Sequence, residues 1–299
     1  MPNKKVLFIV HHRLDRSPGQ RYRFEQFFSF LEENGIECHL SNILSEAEDK
    51  TLYTSRNVFK KALIALKAYK KRYKNLKEIN NYDLIVIYRE ALMTRSIYFE
   101  KRFYKKGIPL VFDFDDAIWV KDVSHVNRFF SWFKDENKIK KILPLCAHVT
   151  CGNQYLKDFA LKYNQNVTIL PSTVDLNLYK KIPSQRKKVT IGWVGSHTTI
   201  KHFEKRLSVY IKLKEKYKEQ IDFVVIGDEH YENKKLGLKG IKWETKKEVE
   251  LFNSFDIGIM PLPDDEWSNG KCAMKALLYM STETVSVVSP VGVNKKIIT

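Results

Sequence analysis

The apolar positions of this chain fall into short, β-branched runs separated by stretches of helical spacing. Lys5–His11 (KVLFIVH) predicts a buried strand, and Arg21–Glu33 follows with Phe24, Phe27, Phe28 and Leu31 at helical steps. Ile36–Leu40, Asp83–Tyr88, Pro109–Phe114, Ala147–Thr150 and Val167–Leu170 predict further strands with helical patterns between them. Strands alternating with helices predict a parallel sheet with right-handed crossovers. Pro171–Lys188 breaks this rhythm with little periodicity and two prolines. The alternation then restarts. Strands are predicted at Val189–Gly195, Ile221–Gly227, Ile241–Trp243, Asp256–Pro261 and Val285–Ser289, and helices at Thr199–Tyr217, Lys246–Ser254 and Lys271–Met280. The expected fold class is α/β, with two Rossmann-like domains: residues 1–175, a linker at 176–188, and 189–299. Ligands of such sheets sit beyond the carboxyl ends of the strands, and in tandem domains also in the cleft between them.

Composition narrows the setting. With 299 residues, 43% of them hydrophobic, the chain can bury two ordinary cores. No stretch approaches the roughly 20 apolar residues that span a bilayer. Met1–Val10 is too short for a signal-peptide core, so the expected compartment is the cytoplasm, with the inner face of the plasma membrane as a peripheral site. Cys38, Cys146, Cys151 and Cys272 show no paired metal spacing and read as small hydrophobes; no metal and no cofactor are expected. The net charge of +17, carried mostly by the N-terminal half, points to an anionic partner.

Several stretches carry candidate chemistry. Strand Val189–Val194 runs into GSHTTIK, where Gly195 permits a sharp turn and Ser196, Thr198 and Thr199 stand at capping positions before a helix. Such a turn cradles phosphate, although a plain capped turn has the same residues. In PLPDDEWSNGKCAMKALLYM an acidic loop passes through Gly270 into a helix expected to open at Lys271, with Lys275 one turn on. A lysine at a helix start opposes the dipole and is better explained by a bound anion than by a solvated basic face. VFDFDDAIW puts Asp113, Asp115 and Asp116 at the end of an apolar strand, where they are candidate catalytic acids or helix caps. In HHRLDRSPGQRYR, Gly19 shapes a loop, and Arg21 and Arg23 are candidate grips for an acceptor phosphate or carboxylate. His11 and His12 are candidate acid–base groups, although a histidine at a strand end is more often structural.

Arg56–Glu78 holds nine Lys/Arg and one acid, with Phe59, Leu63, Leu66, Tyr73 and Leu76 at helical spacing. It reads as a basic amphipathic helix suited to an anionic membrane surface, or as a solvated helix packing its apolar stripe on the sheet. Nothing resembles a nucleic-acid-reading module, and no nucleic-acid partner is expected.

Taken in order, these stretches resemble the family 4 retaining glycosyltransferases over nearly the whole chain. GQRYRFEQFFSFLEENGIE, YREALMTRSIYFEKRFYKKGIPLVFDFDDAIW and VTCGNQYLKDFALKYNQNVTILPSTVDLNLY are similar to that family's first half; IGWVGSHTTIKHF, FVVIGD and DIGIMPLPDDEWSNGKCAMKALLYM with SPVGVN are similar to its donor-binding half. The resemblance implies a GT-B fold, a nucleotide-sugar donor on the second domain and a lipid-linked or polysaccharide acceptor on the first. It places the donor diphosphate at Gly195 and its neighbours, with Lys201 and Lys271 as basic contacts. Where many members carry a pair of glutamates with seven residues between them, this chain has Gly270 and Leu278; where they carry a Gly-x-Pro turn, it has Glu283 and Val285. These departures leave open a catalytically weak binding or scaffold protein. The resemblance also implies that the second domain is incomplete, because the family's closing helix has no counterpart before Thr299.

Overall fold

The computed structural model describes residues 3–54, 57–120 and 135–298; Met1, Arg56 and Thr299, which end expected elements, lie outside them. The chain divides into two compact units, Met1–Ser172 and Thr173–Thr299.

The first unit runs β1 (Lys4–Ile9), α1 (Pro18–Arg23), α2 (Phe28–Glu33), β2 (Ile36–Ser41), α3 (Glu46–Thr54), α4 (Val58–Glu78), β3 (Leu84–Tyr88), α5 (Tyr98–Lys105), β4 (Leu110–Phe114), α6 (Lys138–Ile142), β5 (His148–Cys151), α7 (Gln154–Ala160) and β6 (Val167–Ile169). Its sheet is parallel, in the order β2-β1-β3-β4-β5-β6. The central strands are apolar because both of their faces are covered; Ile9, Ile85, Ile87, Phe112 and Val149 are fully buried. The helix predicted over Arg21–Glu33 is broken. Phe24 leaves helical geometry (φ −150°) and lays its ring against Phe8 at 5.2 Å and Tyr88 at 5.5 Å.

Arg72, on α4, is fully buried. Its Nε donates to the Ala91 carbonyl (2.8 Å), and its terminal nitrogens donate to the carbonyls of Ser41 (2.9 Å) and Val10 (2.5 Å). One guanidinium thus satisfies backbone acceptors at or just beyond the ends of three strands, which an aliphatic side chain cannot do. Burial lowers its pKa to about 9.

The second unit runs β7 (Val189–Val194), α8 (Ile200–Glu204), α9 (Leu207–Tyr217), β8 (Ile221–Ile226), the hairpin β9 (Glu232–Asn233) and β10 (Leu238–Lys239), α10 (Glu248–Asn253), β11 (Ile257–Met260), α11 (Glu266–Asn269), α12 (Met274–Ser281), β12 (Val285–Val288) and α13 (Asn294–Ile297). Its parallel sheet has the order β12-β11-β7-β8. The strand expected at Ile241–Trp243 reduces to one bridge, Ile241 to Ile226. The helix expected over Thr199–Tyr217 is two helices, and an aromatic chain runs from Trp193 through Phe203 and Tyr210 to Phe223. The stretch 176–188, expected as a linker, packs onto this unit: the buried Tyr179 hydroxyl bonds Glu248 (2.5 Å), and Ile182 N–H donates to Asn253 (2.7 Å).

Candidate functional site

In the second unit the site is built around Trp193, the next-to-last residue of β7. A Cβ on Gly195 would lie 2.2 Å from the Trp193 ring and 2.8 Å from the Thr199 hydroxyl. Packing on the indole therefore requires glycine here, whatever the turn binds. The Gly195 N–H donates to Ile226 O (2.9 Å), and a Cβ on Gly227 (φ +108°) would fall 1.9 Å from Gly195 O. The two glycines let the ends of β7 and β8 meet backbone to backbone. Beyond them Ser196 N–H donates to Thr199 Oγ1 (3.0 Å), and the Ser196 and Thr198 hydroxyls bond each other (2.8 Å). Among the described residues the N–H groups of His197 and Thr198 have no acceptor, and both residues are exposed. His197 itself bonds the buried Asp228 through Nδ1 (2.9 Å). Lys201 lies on the exposed side of α8.

Lys275 stands over the same indole, its Nζ 4.9 Å from the ring centroid. No described carboxylate pairs with it; burial, and then the charge of Lys271, lower its pKa to about 7. Lys271 lies over the Trp267 ring at 3.7 Å, and the buried His202 of α8 stacks on that ring at 5.0 Å. Lys271, expected to open the helix, sits instead in the loop before it. Gly270 caps the end of the short α11, and a left-handed Ala273 (φ 54°) stands just before α12, which begins only at Met274. Leu278 is buried, and a Cβ on Gly292 (φ +55°) would touch Asn269 at 3.1 Å, so the SPVGVN segment closes against the Gly270 loop. The structure thus brings the Gly195 turn and Lys275 together on Trp193, and Lys271 beside them on a second indole. Trp193, Trp267 and His202 were not foreseen from sequence, because aromatic residues in apolar runs carry no signal that separates a core ring from a site ring.

In the first unit the expected acids and arginines converge at the carboxyl ends of β1, β3 and β4. Asp113 and Arg23 are both buried and form a two-point pair, Nε to Oδ2 at 3.0 Å and the second terminal nitrogen to Oδ1; Thr150 Oγ1 also donates to Asp113 (2.6 Å). Arg23 further bonds the Leu170 carbonyl. Burial pushes the Asp113 carboxyl up, and Arg23 and Thr150 oppose that push. Arg23, expected to grip an acceptor, and Asp113, expected to act in catalysis, are instead committed to each other inside the unit. Arg21 leans on the Tyr22 ring at 4.9 Å.

Asp115 is the better-placed acid. It accepts from the Tyr88 hydroxyl (2.7 Å) and from Arg89 through Nε (3.1 Å) and a terminal nitrogen (2.7 Å). Burial raises its pKa, but Arg89 outweighs burial and holds it below the usual carboxylate range. Asp116 lies 3.9 Å from Arg89 and accepts from Ala117 N–H (3.0 Å). Gly19 closes this site, since a Cβ there would lie 2.0 Å from the Tyr88 hydroxyl and 3.2 Å from Asp115. Arg89 has φ +65°, a conformation costly for a side-chain-bearing residue and held here by the acids it serves. Nothing in the residue order marks that backbone state. His11 is held neutral, far below its ordinary pKa, by burial and then by Arg72, His12, Lys138 and Arg89. Among the described residues no cluster of His, Cys, Asp and Glu could hold a metal ion.

The solved structures similar to this chain share one architecture. A UDP-forming α,α-trehalose-phosphate synthase from Burkholderia xenovorans superposes with TM-score 0.60 at 11% identity, over 97% of this chain and 85% of that one. A trehalose-6-phosphate protein from E. coli bound with UDP-2-fluoro glucose gives 0.61 at 11% identity, over 98% and 86%. An α-glucosyltransferase in complex with UDP gives 0.61 at 12% identity, over 95% and 80%. The fold is GT-B. No protein-family model matches the sequence, and comparison with curated proteins gives no match. The GT-B reading therefore rests on the path of the backbone, with two Rossmann-like domains that the strand–helix rhythm already implied.

Proposed function

We propose that this chain is a glycosyltransferase that moves a sugar from a nucleoside-diphosphate sugar to a lipid-linked or polysaccharide acceptor. The observation that carries the reading is the bay at Trp193. The turn that starts at Gly195 against the indole carries open N–H groups at His197 and Thr198 and the hydroxyls of Ser196 and Thr198, and the Lys275 ammonium, with no described carboxylate partner, lies over the ring's face. Donors of this kind, fixed in place before the reaction, suit an anion whose charge grows as a glycosidic bond breaks. The leaving group is the nucleoside diphosphate; Lys275, Lys271 and Lys201 would neutralise it without a metal. Two of these similar structures contain UDP or a UDP sugar, which makes UDP the first nucleotide to test. The resemblance to family 4 supports retention of anomeric configuration. On the first domain, Gly19, Arg21, Arg89, Asp115 and Asp116 would meet the acceptor. The cytoplasm, with a peripheral site on an anionic membrane, is the compartment this reading requires.

Isothermal titration of UDP into the wild type and Lys275→Ala tests the donor site. Loss of about 1.5–3 kcal/mol, the scale of hydrogen bonds to charged groups, is expected in the variant. Equal affinity would remove Lys275 from the site. One observation favours a second reading: Leu278 is buried and Gly270 has no side chain, so neither supplies the acid found in the resembling family. UDP binding without sugar transfer from any of a panel of UDP sugars would make the chain a nucleotide-sugar-binding protein.

A further inference from the structure

Helix α4 is turned opposite to the ordinary arrangement. The residues it buries are Lys61, Ile64, Ala68, Arg72 and Asn75, one stripe at three- and four-residue steps. Two of them have polar work inside: Arg72 with its carbonyls, and Asn75 bonding the Ser41 hydroxyl (2.8 Å). The large apolar side chains therefore point away from the sheet. Phe59 is 85% exposed, Leu63 60%, Leu66 51% and Tyr73 45%. A helix stripe of this kind normally packs on a core; here it covers nothing among the described residues.

The surroundings of the stripe identify what covers it. Lys60, Lys67, Lys70, Lys71, Lys74 and Lys77 are all exposed on the same helix. The acids that answer them are Glu48, 3.0 Å from Lys67, and Glu78, 3.6 Å from Lys74. The basic surface continues onto α5. Tyr69 of α4 stacks on Tyr98 at 6.2 Å, Arg102 stands 5.2 Å from the Tyr98 ring, and Tyr104, Lys105 and Lys106 are exposed beyond it. No described helix is long and apolar enough to cross a membrane. An apolar ridge flanked by long-stemmed lysines, on a helix too polar to span, matches the headgroup–acyl boundary of an anionic bilayer: the ridge enters, and the ammonium groups stay level with the phosphates.

We propose that α4 lies in the plane of an anionic lipid bilayer, inserting Phe59, Leu63 and Leu66, with the lysines of α4 and the basic end of α5 against the headgroups. This deepens the membrane part of the reading above and rests on it; the donor bay lies in the other unit, so UDP titration reports on that reading separately.

The test is sedimentation of the full chain with vesicles of phosphatidylglycerol and phosphatidylcholine, or of phosphatidylcholine alone. Binding to the anionic vesicles is expected, falling steeply as salt rises, with little binding to neutral ones. The double variant F59S/L63S and the charge variant K70E/K77E are each expected to reduce binding at least tenfold. Their melting temperature and UDP affinity should stay unchanged, because these side chains are exposed. In L63W, indole emission should be quenched by brominated lipid. Absence of wild-type binding, or binding that survives F59S/L63S, would overturn the proposal. So would a wild-type dimer that F59S/L63S converts to a monomer without any lipid binding, which would assign the ridge to a second copy of the chain.

Discussion

The Lys275 ammonium lies 4.9 Å above the Trp193 ring, the same ring that forces residue 195 to be glycine. A cation over an indole is stabilised electrostatically, but burial and the neighbouring Lys271 oppose its charge more strongly, so its pKa falls from 10.5 to about 7. A bound diphosphate reverses that balance. Around pH 8, binding should therefore take up a proton, and UDP affinity should weaken as pH rises from about 7 to 9. Calorimetry in buffers of different ionisation enthalpy measures the uptake directly. In Lys275→Arg, which stays charged throughout, both effects should vanish. Without ligand, the unfolded chain holds more protons than the folded one between about 7 and 10.5, so this residue makes stability rise with pH across that window.

Gly19 and Tyr88 form a second close relationship with a measurable consequence. A methyl group at residue 19 would fall 2.0 Å from the Tyr88 hydroxyl, which donates to Asp115. Gly19→Ala should destabilise the first unit by about 1–3 kcal/mol, the usual range for forcing a methylene into a packed site. In a Tyr88→Phe background the oxygen is gone and the added cost should shrink. Denaturant melts of the four proteins give the coupling; additive effects would show that the hydroxyl is not the obstacle.

The strand–helix rhythm and the α/β fold class were legible in the sequence, because strand burial and turn residues leave a local imprint. What was not legible depends on partners distant in the chain. Arg23 and Asp113 are 90 positions apart, and each alone looked like a ligand-binding residue; only the fold shows that they satisfy each other. The apolar positions of α4 were visible, but the direction they face was not. That is decided by Arg72 meeting three backbone carbonyls, an inward role for a residue that composition assigns to the surface. The left-handed backbone of Arg89 and Ala273 has no residue-type signal at all, since neither is glycine or asparagine.

Asp49 sets the acid limit of the loop after β1. It is buried, bonds Arg16 Nε, and lies 3.4 Å from Arg13 and 3.5 Å from His12. Burial raises its pKa, but the contacts with His12 and Arg16 prevail and lower it from 3.8 to about 2. Because the folded value is depressed, its contribution is complete above pH 3.8 or so and is lost as pH falls toward 2. Asp49→Asn should lower the melting temperature at pH 7 and narrow its gap to wild type as pH approaches 2. A gap that persists at low pH would mean that shape, rather than charge, is what Asn fails to supply.

Arg89 and Asp115 separate a catalytic role from a structural one. Arg89 donates twice to Asp115 and approaches Asp116 at 3.9 Å, from a backbone at φ +65°. Arg89→Asn is the informative change, because asparagine tolerates the left-handed region and so removes the guanidinium without adding backbone strain. Asp115 then loses the cation that holds its pKa down, and burial is left to raise it. Breaking such a pair costs about 3–5 kcal/mol when the remaining charge stays buried, so melting should fall clearly. Asp115→Asn in the same background removes the stranded charge and should recover part of the loss. Activity divides the two roles. If these residues meet the acceptor, the double variant, once refolded and stable at low temperature, keeps wild-type UDP affinity and loses sugar transfer. If they only brace the ends of β3 and β4, transfer returns along with stability.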